Sequence, residues 1–96
     1  MKSNMQQELV KNFVMVKCSD PRHTNCAPLR KEIVKLNNVI EAYTTRAKVG
    51  DSVYCIAVTA TSTPQGIRNL EKEIRKVKER KHNLSVVDVK IFQDQR

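Results

Sequence analysis

The chain has no tryptophan, two phenylalanines and two tyrosines, so any platform of stacked rings must draw on four side chains. Only two glycines and three prolines occur among 96 residues. That scarcity excludes a low-complexity chain and calls for long regular elements joined by short turns. Three cysteines, an odd number, cannot close a disulfide framework. No apolar run approaches the length of a membrane span, and the N-terminal "MKSNMQQELVKNF" lacks the apolar stretch of a signal peptide. Reduced thiols in a cytoplasmic setting, with no membrane involvement, are therefore expected. Nucleophile-elbow, HExxH, phosphate-loop and dinucleotide motifs are also missing. Asp20, His23 and Cys26 share one loop, yet no oxyanion donor is identifiable beside them, and an enzyme is not expected.

Acidic residues are the remaining shortage. Ten Asp and Glu stand against 18 Lys and Arg, a net charge of +8. With 40% hydrophobic and 29% charged residues, the chain reads as one small globular domain over residues 11–96, with residues 1–10 as a flexible lead-in.

Periodicity then orders the elements. "NFVMVKC" (12–18) is β-branched and apolar and precedes the turn-rich "SDPRHTNCAP". Pro28 suits the first turn of a helix over about 28–38, whose apolar positions are Leu29, Ile33 and Leu36 and whose stop is Asn37-Asn38. Residues 39–61 read as two strands around a turn at Val49-Gly50-Asp51-Ser52. Ser62 or Thr63 caps a second helix with Pro64 in its first turn and Ile67, Leu70, Ile74 and Val77 as its buried stripe. His82-Asn83 ends that helix, and "LSVVDVKIF" (84–92) alternates as a last strand. Strand, helix, strand, strand, helix, strand is the order of a ferredoxin-like βαββαβ α+β sandwich. Its four-stranded antiparallel sheet carries both helices on one face.

Two surfaces follow. The second helix stacks Arg68, Lys72, Lys76 and Arg80 at four-residue spacing, with Arg75 beside them. Like charges so placed repel by a few tenths of a kcal/mol per pair, although Glu71, Glu73 and Glu79 offset part of this. Arg30, Lys31 and Lys35 extend from the first helix. Were both helices on one face, these eight cations would merge into a field that attracts nucleic acid, another polyanion or an acidic protein partner. On the sheet, alternation sends Val14, Val16, Cys18, Ile56, Val58, Val87, Val89 and Ile91 inward. It sends Phe13, Met15, Lys17, Tyr43, Val53, Cys55, Val86, Lys90 and Phe92 outward, although Cys55 in its apolar run also reads as a core thiol. The outward face is apolar enough to be covered by a second copy, making a homodimer whose contact residues include Phe13, Met15, Tyr43 and Phe92. Its aromatics are alternatively placed to stack bases, although "GDSVYCIAV" lacks the paired aromatics of an RNA-recognition motif.

Cys18, His23 and Cys26 have the spacing C-x4-H-x2-C, with ligands suited to zinc or copper. Three ligands fall short of the four that a structural zinc site takes, so no cofactor is expected.

Two family resemblances are carried by longer stretches. Leu29, Ile33, Leu36 and Val39, after a loop containing Cys26, resemble the heavy-metal-associated domain, a copper-carrying ferredoxin-like module. Its paired cysteines would fall on Arg22 and Asn25 here, so the metal function is not implied. "TTRAKVGDSVYCIAVTA" with "LSVVDVKIF" is similar to the cytoplasmic C-terminal domain of cation-efflux transporters. That resemblance implies dimerisation, while the zinc-binding histidines of that family have no counterpart in this chain.

Overall fold

The computed structural model describes residues 9–20 and 26–93. The expected lead-in at 1–10 and His23 thus lie largely or wholly outside the described residues. The elements are β1 (Val10–Cys18), α1 (Ala27–Val34), β2 (Val39–Val49), β3 (Ser52–Ser62), α2 (Pro64–Arg75), β4 (Lys78–Glu79) and β5 (Leu84–Gln93). They form a five-stranded antiparallel sheet in the order β2-β3-β1-β5-β4.

The turns are where local chemistry demands them. β2 and β3 are joined by Gly50 and Asp51, with Val49 paired to Ser52. Gly50 has φ +62, a left-handed conformation that a residue without Cβ adopts at little cost. Asn38 (φ 74) turns the chain out of α1 toward β2, and Asn83 (φ 57) turns it from β4 into β5. Asparagine is among the few side chains that tolerate this region. α2 opens on Thr63, whose hydroxyl oxygen accepts the Gly66 amide at 3.1 Å, with Pro64 in the first turn.

Alternation in β1 buries Asn12, Val14, Val16 and Cys18 and leaves Lys11 and Phe13 exposed. The buried side chains of β1 meet Ile56, Val58, Ala60, Leu84 and Val89 from the neighbouring strands. Leu29 and Ile33 of α1, and Ile67, Leu70 and Ile74 of α2, complete the same hydrophobic cluster. Each large side chain so buried contributes about 1.5–3 kcal/mol of transfer free energy.

The four-stranded ferredoxin-like sandwich expected from the sequence does not hold. β4 extends the sheet beyond β5 to five strands. Nor do the helices pair into a layer: α1 lies against β2 and reaches toward β4 and β5, α2 lies on β3 and β5, and the two scarcely touch. Two lengths also change. α1 stops at Val34 rather than near 38, and α2 stops at Arg75, with Lys76 as its C-cap, rather than running to 81. Val77 still packs against the core, but the next six residues (Lys78 to Asn83) include no apolar side chain. A further helical turn would therefore have nothing to bury, whereas the extended backbone gains pairs with Leu84 and Ser85.

Irregularities change the parity in two places. A register shift between Lys17 and Cys18 puts Cys18 opposite Val86, so Val86 packs on the core and Val87 is exposed, the reverse of simple alternation. A second shift, between Thr44 and Ala47 of β2, lies opposite Cys55. Cys55 is fully buried, as are both its neighbours, and is not part of the outward face.

Candidate functional site

Arg68, Lys72, Arg75, Lys76 and Arg80 do not form one helical row, because Arg80 lies in the β4–β5 turn. Arg75 is held in place. Its Nη2 and Nε donate to Glu71 Oε2 at 2.9 and 3.1 Å, Nη2 also to the Val89 carbonyl at 3.2 Å, and Nη1 to Asp88 Oδ1 at 3.5 Å. Arg68 donates to Gln65 Oε1 at 2.8 Å. On α1, Arg30 is spent on the Ala42 carbonyl at 3.1 Å and Lys35 pairs with Glu32 at 3.3 Å. Lys31, Lys72, Lys76 and Arg80 are exposed and make no ion pair among the described residues. A cleft of about 410 Å³, lined by Lys35, Asn38, Gly66, Asn69 and Glu73, separates the end of α1 from α2. The eight cations are thus divided by a cleft and partly neutralised.

The outer face of the sheet has a more continuous organisation. The registers of the four long strands align Glu41, Thr59, Phe13 and Phe92 in one row across it. The adjacent row is Tyr43, Ala57, Met15 and Lys90. Phe13 and Phe92 are direct partners, each 40% exposed, and Tyr43 is 50% exposed. Ala57 is small and covered between Tyr43 and Met15, so the larger side chains rise around it. Lys11 brings its Nζ to 5.6 Å from the Phe13 ring centroid, a cation–π contact. Lys17 donates to Ser52 Oγ at 3.5 Å and stands opposite Asp88. The Asp88 carboxylate itself accepts from the Tyr54 hydroxyl at 3.3 Å and from Arg75. Lys11, Lys17 and Lys90 therefore outnumber the free acidic charge around three exposed rings. Phe13, Met15, Tyr43 and Phe92, assigned to one face by alternation, do share it.

A second arrangement lies beneath the helices. The Sγ atoms of Cys18, Cys26 and Cys55 all lie within 4.8 Å of one another, and all three residues are buried. Cys18 ends β1, Cys26 is the N-cap of α1 and Cys55 is in β3, so three separate elements deliver one thiol each. The Cys26 and Cys55 thiols both donate to the Asp20 carbonyl at 3.5 Å. Burial, then the hydrogen bond with Cys55, pushes the Cys26 thiol up to about 12. Burial, then Cys26 and Cys55, pushes Cys18 up further. Of the spaced set Cys18, His23 and Cys26, the two cysteines come together, while His23 lies outside the described residues. Cys55 was missed as their companion; no spacing rule reaches 29 residues along the chain.

Searches against protein-family models, curated proteins and solved structures return no match to this chain. Neither resemblance noted from the sequence gains support, and no family is assigned. Among the described residues no helix is long and apolar enough to cross a membrane.

Proposed function

We propose that the chain is a non-enzymatic nucleic-acid-binding module that takes single strands on the outer face of its sheet. The observation that carries this reading is the Phe13–Phe92 pair, exposed side by side with Tyr43 in the next row and Lys11, Lys17 and Lys90 around them. Exposed rings offer π-faces on which unstacked bases settle, and lysines beside them meet the phosphates. Such stacking tolerates any base, so weak sequence preference is expected. A duplex keeps its bases inside and gains only the charge contacts. The cations of Arg68, Lys72, Lys76 and Arg80, with Lys31 across the cleft, add to the net charge of +8 that draws a polyanion toward the molecule. Their expected direct role at phosphates becomes a steering role in this reading.

Fluorescence anisotropy with a labelled single-stranded oligonucleotide and its duplex tests it. Phe13→Ala and Phe92→Ala should each weaken single-strand binding by about 1–3 kcal/mol, roughly 5- to 150-fold, with the duplex little affected. Equal affinity of wild type and the double variant for single strands would refute the reading.

The same apolar row supports a second reading, a homodimeric assembly module whose sheet faces cover one another. Sedimentation velocity discriminates: in that case a stable dimer forms, Phe13→Ala dissociates it, and added oligonucleotide leaves it unchanged.

A further inference from the structure

We infer that Cys18, Cys26 and Cys55 form a zinc site with three sulfur ligands and its fourth position on the side of Asp20. The chain contains three cysteines in all, placed on β1, the start of α1 and β3, and all three meet. Filling a core requires small apolar volume at each position; it does not require that the sulfurs find one another. In a tetrahedral site with zinc–sulfur bonds of about 2.3 Å, the sulfurs stand about 3.8 Å apart. The spread within 4.8 Å is closed by side-chain rotation of roughly an ångström, without rearranging the strands.

The donor chemistry selects the ion. Thiolates are soft ligands that favour zinc or Cu(I) and leave calcium and magnesium to oxygen sites. Zinc accepts a fourth, non-sulfur donor, and here one lies at hand beside the thiols. The Asp20 carbonyl oxygen already sits 3.5 Å from both Cys26 Sγ and Cys55 Sγ. Binding forms three zinc–sulfur bonds and breaks three S–H bonds. The three protons pass to solvent and no atom changes oxidation state. Three thiolates and one divalent ion leave a single negative charge, in a chain that carries +8. This site stands on different residues from the sheet face and does not depend on the nucleic-acid reading.

The test is an anaerobic titration of the reduced full chain with Co(II), followed by Zn(II). One equivalent of cobalt should produce a near-ultraviolet sulfur-to-metal charge-transfer band with the visible bands of a tetrahedral ion, and one equivalent of zinc should bleach both. Zinc should also raise the melting temperature of the wild type. Cys55→Ala and Cys26→Ala should weaken binding by more than about 100-fold, beyond the loss that follows removal of an outer-shell partner. X-ray absorption of the zinc-loaded wild type, which needs no variant to fold, should count three sulfurs at about 2.3 Å. A folded, reduced wild type without the charge-transfer band overturns the assignment. So does uptake of Cu(I) without uptake of zinc or cobalt, a single sulfur in the absorption spectrum, or affinity of Cys55→Ala within twofold of wild type.

Discussion

Asp88 shows how much one side chain on β5 gathers. The Val89 amide, the Tyr54 hydroxyl and the Arg75 guanidinium all act on its carboxylate and hold it below the usual 3.8, the Val89 amide most strongly. A carboxyl depressed in the folded state adds stability above its unfolded value, and that stability is lost as pH falls through the depressed value. Asp88→Asn should therefore melt lower than wild type at pH 7, and the two melting temperatures should draw together as pH falls below the usual 3.8. A gap that stayed constant down to pH 2 would mean that packing, not charge, is what the substitution removes. At this scale the legible part of the molecule was the part that periodicity governs. Val14, Val16, Ile67, Leu70 and Ile74 are buried as their spacing demands. Val86 was not legible, and Cys55, read correctly as a core thiol from its apolar run, was placed on the wrong face by simple alternation. Their placement depends on register shifts in β2 and β5, which no alternation of residue types announces.

At the scale of elements, α2 is the best specified. Its cap, its proline and its apolar stripe were all readable, because each is a local requirement of a helix start or a buried face. Its end was not, since Glu71–Arg75, Glu73–Lys76 and Lys76–Glu79 are i,i+4 or i,i+3 pairs compatible with further helix. Tertiary pairing of Lys78 and Glu79 with β5 decided the matter. Within α2, Gly66 is a packing requirement. A Cβ there would collide with the Ser62 hydroxyl, and the Ser62 Cβ lies 2.9 Å from the same point. Ser62 is buried and has little room to withdraw. Gly66→Ala should accordingly destabilise by about 1–3 kcal/mol despite the better helix propensity of alanine, seen as a lower urea midpoint with an unchanged m-value. A stabilised variant would show that the propensity gain prevails.

For the whole molecule, charge and topology have separate consequences. In the proposed reading the net +8 acts at a distance, while the rings of the sheet face act at contact. Single-strand affinity should fall steeply with added salt. Lys72→Glu with Lys76→Glu should slow association several-fold with little change in dissociation, whereas Phe13→Ala should speed dissociation; stopped-flow and displacement kinetics separate the two. The four long strands were legible, whereas β4 was not, because it is two residues long and carries no hydrophobic pattern.

Among the described residues, the order of the sheet leaves β2 with one unpartnered border along its eleven residues. A long straight border of this kind is a template on which a foreign strand can add, the first step toward fibrils. Here register shifts between Val39 and Glu41 and between Thr44 and Ala47 break its straightness, and exposed Arg46 and Lys48 set like charges against an approaching copy. Those same cations oppose polymerisation of the chain through its own backbone.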